Sequence, residues 1–362
     1  MQKITEGIDK LQDLLKTTGC RKLFMVIDSS YQFLNIKERI EDITVSKVTF
    51  SDFTPNPLYE DVCKGIDLFL KENCDAILAV GGGSSIDVAK CIKLAVLARE
   101  GREGLIPPLV SERLDIDGKR IPFIAIPTTA GTGSESTHNA VMYYQGSKQT
   151  VTNDGVLPDY ALLEPKVLAT LPLYQKKCTM MDALCQGIES WWSVNATDQS
   201  REYSKTALQL ITRYWRSYIF DNDPYSASQV MLAANYAGRA INISATTAAH
   251  AMSYKITSLY NLPHGHAVAV CLPAIWEYML EVRPEMKVFS LISRALGYDS
   301  AEKAISGFRE MMKELELSCP VAINRDRELD VLSKSVNPVR MKNNPVFIDQ
   351  ETAWKLYNQI LS

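Results

Sequence analysis

The sequence lacks most of the features that would send it to a membrane, a nucleic acid or the cell exterior. No run approaches the roughly 18 consecutive apolar residues that a spanning helix needs, so no membrane partner is expected. No basic start followed by an apolar core opens the chain, so no signal peptide is expected. Charge of one sign is missing as well: 39 Lys and Arg stand against 42 Asp and Glu. The net charge of −3 gives no electrostatic reason for a nucleic-acid partner. The eight cysteines, at 20, 63, 74, 91, 178, 185, 271 and 319, form no C-x-x-C pair and no dense framework. Reduced thiols in a cytoplasmic protein are the expectation. The G-x-G-x-x-G dinucleotide fingerprint is absent. Histidine is scarce, with four in the chain, yet His250, His264 and His266 all fall within residues 250–266.

What is present is an ordinary globular composition, 46 % apolar and 22 % charged, over 362 residues, long enough for two domains. The first twenty residues read as an amphipathic helix. Thereafter short apolar runs alternate with helical periods: "KLFMVID" at 22–28, "ITVSKVTFSDF" at 43–53, a helix over 57–74, then "DAILAVGGGSSIDVAK" and "RIPFIAIPTTAGTGSE". This alternation predicts βαβ units and a parallel sheet covered by helices. After about residue 165 long helical periods take over. The boundary is placed at 164/165, giving an α/β Rossmann-like domain, 1–164, and an all-α domain, 165–362.

Two small-residue loops follow strands. "AVGGGSSIDVAK" (79–90) lets the backbone approach a ligand and offers Ser84, Ser85 and free N–H groups at a helix start to a phosphate; a tight strand-to-helix turn would use the same residues. "PTTAGTGSES" (127–136) is a second such loop, and two loops at the carboxyl ends of strands in one sheet mark a nucleotide crevice. Asp28 ends the first apolar strand. Its carboxylate either accepts from a ribose, favouring NAD(H) over NADP(H), or caps the turn.

His250 and His264 would lie about 21 Å apart on one straight helix. "YNLPHG" interrupts that helix through Asn261 and Pro263, and a chain reversal there brings the two imidazoles together. In "MMDALCQGIESWW", Asp182 and Gln186 share a helix face about 6 Å apart. A carboxylate with two imidazoles suits Fe(II) or Zn(II) and leaves positions open for a substrate oxygen.

These stretches, with "HAMSYKITSLYNLPHGHAV" and "NNP" at 343–345, resemble in family order the iron-containing (group III) alcohol dehydrogenases, which have the dehydroquinate-synthase-like fold. The resemblance implies metal ligands at Asp182, Gln186, His250 and His264, with Gln186 standing where the family usually has His. It implies nucleotide contacts at Asp28, Gly82, Gly83, Ser84, Thr128, Thr129 and Thr132, and a homodimer. Tyr254 stands where many members carry a histidine near the nicotinamide; the proton comes from water or from a relay with Tyr254 and His266 as candidates, the neutral imidazole of His266 being better matched to pH 7 or alternatively a support for His264. The segment 246–268 is most similar to the branch that reduces phosphonoacetaldehyde to 2-hydroxyethylphosphonate. Lys255, Arg340 and Lys342 are the candidate cations for an anionic substrate, and His138 and Asn139 the candidate polar contacts. The alternatives are a dehydrogenase of a neutral short-chain alcohol or diol, and a nucleotide-binding protein whose active site has decayed.

Overall fold

The computed structural model describes residues 2–98, 101–106, 120–336 and 341–362. The chain divides into two compact units, Met1–Leu171 and Pro172–Ser362.

The N-terminal unit is built on strands β1 (Lys3–Glu6), β2 (Lys22–Ile27), β3 (Ser46–Phe50), β4 (Ala76–Gly81), β5 (Phe123–Pro127) and β8 (Tyr160–Leu163). They form one parallel sheet in the order β1-β8-β5-β4-β2-β3. The central strands carry no alternation because both faces are covered; every residue of β4 is buried. Helix α1 (Leu11–Thr18) precedes β2, the short α2 (Lys37–Glu41) follows it, and α3 (Tyr59–Lys71) follows β3. Val62, Ile66 and Phe69 make one buried stripe of α3, with Phe69 edge-on to Phe24 of β2 at 5.4 Å. Helix α4 (Gly83–Leu97) follows β4. A hairpin, β6 (Asn139–Tyr144) and β7 (Ser147–Thr152), turns through Gln145 and Gly146, both at positive φ.

The opening residues differ from the expected single helix. Lys3–Glu6 is an edge strand paired in parallel with Tyr160–Leu163, and Gly7, at φ 91°, ends it before α1 begins. Pairing with a strand more than 150 residues away overrides the local amphipathic pattern.

The C-terminal unit is helical: α5 (Leu173–Trp192), α6 (Asp198–Ile219), α7 (Pro224–Ser244), α8 (Ala248–Tyr260), α9 (His264–Val282), α10 (Lys287–Ala295), α11 (Ala301–Glu314), α12 (Arg325–Ser335) and α13 (Gln350–Ile360). Helix α5 runs through the middle, packed on α6, α7 and α9, and is buried along most of its length. Among the described residues no helix is long and apolar enough to cross a membrane, and the eight cysteines are free.

Candidate functional site

In the N-terminal unit, strand order sets the first constellation. The chain leaves β2 towards β3 on one side and leaves β4 towards β5 on the other. The adjacent carboxyl ends of β2 and β4 are therefore the topological switch point, the crevice where open α/β sheets take nucleotides. Asp28 follows β2 there. One carboxylate oxygen accepts from the Ser30 N–H at 2.8 Å, capping the turn; the other accepts from Ser85 Oγ at 2.7 Å, reaching the glycine loop. Of the two roles expected for Asp28, the turn cap is the one observed. A Cβ on Gly81 would overlap the Ser85 side chain and stand 2.7 Å from Asp28 Oδ2, so only glycine fits.

The two loops face each other. A Cβ on Gly82 would lie 3.7 Å from Thr129 Cγ2, and one on Gly83 would lie 3.1 Å from Thr132 Cγ2. Gly82 precedes α4 without any side-chain cap, which leaves the first-turn N–H groups, next to half-buried Ser84, for a ligand. Thr128 is buried, and its N–H donates to the Gly81 carbonyl at 3.0 Å, tying the loops at their roots.

A buried network that motif reading missed braces this pair. Lys90 Nζ, fully buried on α4, donates to Ser134 Oγ, Thr137 Oγ1 and the Asn139 carbonyl at 3.0, 2.9 and 2.7 Å. Ser134 in turn donates to Asp87 Oδ1 at 2.6 Å. Burial pulls the Lys90 ammonium down to about 8, against the opposing pull of Asp87 and Glu135. Asn139, expected at the substrate, heads β6, where its amide oxygen accepts from Thr152 Oγ1 at 2.7 Å. His138 pairs with Asp154 at 2.8 Å.

The second constellation lies in the C-terminal unit. Asn261 adopts a left-handed conformation (φ 51°) that ends α8, and Pro263 precedes α9. The reversal puts His250, in the first turn of α8, and His264, first residue of α9, side by side with ring centroids 5.4 Å apart. Gly265 lets α9 touch α5. A Cβ there would run into the Cys178 carbonyl and stand 2.9 Å from Asp182 Cβ. Ligand atoms of Asp182, His250 and His264 consequently lie within 4.8 Å of one another. Donors around a tetrahedral ion with bonds of about 2.1 Å stand about 3.4 Å apart, so the three reach that spacing with a contraction of at most about 1.4 Å. One carboxylate and two imidazoles fit a divalent transition metal. Asp182 and His250 are buried, and Gln186 is buried one turn further along α5. Tyr254 stacks on His264, its ring within 2° of parallel at 5.7 Å.

The remaining expected residues are placed as follows. His266 Nε2 meets the Ser318 carbonyl and Nδ1 meets Tyr174 Oη, both at 2.9 Å. A carbonyl only accepts, so Nε2 carries the proton and Nδ1 accepts the phenol hydrogen. Burial lowers the His266 pKa. Its single ring proton is committed to the backbone, an arrangement that holds the start of α9 in place. Lys255 is half-buried on α8, and Lys342 is exposed. Arg340 lies outside the described residues. In the "NNP" stretch, Asn343 accepts from Asn195 Nδ2 at 2.8 Å and donates to the Thr246 carbonyl at 3.3 Å; Asn344 donates to the Val346 carbonyl at 2.7 Å.

Glu189 escaped the motif reading. It is fully buried on α5, and its carboxylate meets His250 Nδ1. Its signal was present: seven residues after Asp182 is two helical turns, so an acid there shares the Asp182 face in the mostly apolar stretch "MMDALCQGIESWW". Burial alone would push the His250 imidazole down, but Glu189 and Asp182 raise it to about 9. For the metal-free protein the sign follows directly. The folded value exceeds the ordinary value of about 6.5, so this contribution to stability is complete below pH 6.5 and disappears as pH rises through about 9. Lys90, depressed to about 8, works in the opposite sense between pH 8 and 10.5. The check is therefore a difference: the Tm gap between chelator-treated wild type and His250→Gln should shrink from pH 6.5 to 9.5. A gap that stays constant refutes the ion-pair assignment.

The profile described as iron-containing alcohol dehydrogenase matches residues 4–165, and that of the C-terminal region of the Fe-containing alcohol dehydrogenase family matches residues 177–361. The chain belongs to the iron-containing alcohol dehydrogenase family. Its members' chemistry makes it an oxidoreductase acting on CH–OH groups. It is similar to the 1,3-propanediol dehydrogenase of Citrobacter freundii, 30 % identical over 85 % of this chain and 82 % of that one. It is also similar to the NAD-dependent methanol dehydrogenase of Bacillus methanolicus, 29 % identical over 91 % and 90 %. Among solved structures it resembles in fold the sulfoacetaldehyde reductase of Bifidobacterium kashiwanohense in complex with NAD+, with a TM-score of 0.89, 24 % identity, and coverage of 100 % and 97 %. The expected α/β-plus-helical architecture of iron-containing alcohol dehydrogenases is the one observed.

Proposed function

We propose that this iron-containing alcohol dehydrogenase is an NAD(H)-linked reductase of a small anionic aldehyde, with phosphonoacetaldehyde, reduced to 2-hydroxyethylphosphonate, as its substrate. The convergence of Asp182, His250 and His264 carries the reductase part. These three residues would hold the metal, Fe(II) or Zn(II), with the neutral amide of Gln186 close by on the same helix. When bound, the cation supplies Lewis-acid polarisation of a carbonyl and the nicotinamide supplies hydride. The protein's own share is to bury Asp182 and His250 away from water, which strengthens electrostatic interactions at the cluster. Tyr254, lying flat on His264, is the proposed proton donor to the product oxygen. Asp28, Gly82, Gly83, Ser84, Thr128, Thr129 and Thr132 form the proposed nucleotide site, and the Asp28 carboxylate disfavours a 2′-phosphate.

The anionic preference is supported by the motif resemblance and by Lys255, the residue after Tyr254 on α8. Identity of 30 % to a 1,3-propanediol dehydrogenase favours a neutral alcohol as the second reading. Elemental analysis with NADH oxidation across phosphonoacetaldehyde, sulfoacetaldehyde and propanal separates them. The proposal requires bound metal and faster turnover of an anionic aldehyde. Propanal turned over as efficiently would establish the neutral reading, and absence of both metal and turnover would remove the dehydrogenase proposal. In Lys255→Met, loss of a charge-assisted hydrogen bond of about 1.5–3 kcal/mol should lower kcat/KM for phosphonoacetaldehyde about tenfold to a hundredfold. Propanal should change less than about threefold, because uniform loss across both substrates would place Lys255 outside the anion contact.

A further inference from the structure

We infer that Glu189 is a positioning residue that fixes which nitrogen of His250 is offered to the metal; the inference rests on the proposed metal site at Asp182, His250 and His264. A fully buried carboxylate is costly unless its lone pairs are used. Here they are. Glu189 Oε1 accepts from the Thr247 N–H at 3.0 Å, Thr247 Oγ1 at 2.7 Å, the Ala249 N–H at 2.9 Å and the His250 N–H at 3.3 Å, while Oε2 meets His250 Nδ1. Thr247 precedes α8 and makes no side-chain cap of its own. The cap of α8 is therefore delivered from α5, by the helix that also carries Asp182.

The neighbouring contacts point the same way. Ser190 Oγ bonds Ser244 Oγ at 2.7 Å, Ser193 Oγ donates to the Ser244 carbonyl at 2.8 Å, and Trp192 Nε1 donates to Thr247 Oγ1 at 2.8 Å. They hold the turn between α7 and α8, where Ala245 takes a strained φ of 56°. The last turn of α5 thus determines where α8 starts and how its first histidine is aimed.

The consequence is chemical. An ionised carboxylate only accepts, so Nδ1 keeps its hydrogen. In the neutral ring Nε2 is then the lone-pair nitrogen, and Nε2 is the one 3.2 Å from Asp182 Oδ1. The opposite tautomer would put an N–H where a cation must sit. Glutamine is nearly isosteric with glutamate. In Glu189→Gln the amide oxygen keeps the backbone N–H groups of α8, but the NH₂ facing Nδ1 donates and imposes that opposite tautomer.

The test uses the full chain, stripped with a chelator and titrated with Zn(II) against a chromophoric competitor. Glu189→Gln should bind Zn(II) about tenfold to a hundredfold more weakly than wild type, the range typical of lost partners to ligating histidines. Thr247→Val removes a cap hydroxyl but leaves the Nδ1 contact, so it should lower Tm while keeping wild-type affinity. In the Zn(II)-loaded wild type, ¹⁵N shifts of His250 should show Nε2 ligating and Nδ1 protonated. Nδ1 ligation there overturns the inference whether or not either variant folds. Wild-type affinity in Glu189→Gln, or affinity losses in both variants that merely track Tm, overturns it alone; a wild type that binds no Zn(II) removes the metal site and the inference together.

Discussion

Asp182→Ala is expected to lower kcat/KM for aldehyde reduction by about three orders of magnitude or more and to leave NADH affinity within about threefold. Asp182 is the only anionic member of the cluster of three, and His250 Nε2 already leans on it at 3.2 Å. Its removal takes away both a ligand and the charge that offsets a divalent cation in a buried site. The proposed nucleotide loops belong to the other unit and are braced by Asp87 and Lys90, so titration of NADH fluorescence should show them intact. Metal content should fall with activity. Full activity with a normal metal complement would end the assignment of Asp182 as a ligand. Lost NADH binding would instead indicate global damage, which circular dichroism would register.

Gly265→Ala should be nearly as severe although alanine brings no chemistry of its own. The added Cβ would meet the backbone carbonyl of Cys178, which no side-chain rotation can clear, and would sit 2.9 Å from Asp182 Cβ. Relief requires α9 to move off α5, carrying His264 away from Asp182. Overpacking of this kind costs about 1–3 kcal/mol or more, and a displaced ligand should reduce metal content at least tenfold. Gly187→Ala, on α5, is the control. Its Cβ would lie 3.0 Å from Leu208 Cδ2, the end of a flexible side chain that can yield. A Gly265→Ala protein with wild-type metal content would show that α9 has slack the geometry does not reveal.

How much of this was legible in sequence depends on the range of the interactions. The central strands were, because a strand covered on both faces reads as a continuous apolar run, as Ala76–Gly81 does. Lys3–Glu6 was not: four residues with charges at both ends become a strand only by pairing with Tyr160–Leu163. The β6–β7 hairpin was missed for a related reason, since partly exposed strands carry weak patterns. At the proposed metal site, Asn261 and Pro263 announced the reversal that unites His250 with His264. The surroundings of His266 were hidden because Tyr174 and Ser318 are distant in sequence. Glu189 was readable by its two-turn spacing from Asp182, but only to a reader already asking what holds the outer nitrogen of His250.

Both clustered imidazoles ride on the first turn of a helix, His250 on α8 and His264 on α9. Such ends carry roughly half a positive charge each. The Glu189 carboxylate cancels that of α8, whereas α9, preceded by Pro263, has no side-chain cap. That dipole is met by the Asp182 side chain, packed against Gly265, and favours negative charge on a neighbouring oxygen. Under the proposed mechanism that bias would favour an alkoxide, making the backbone of α9 a participant in the electrostatics of reduction.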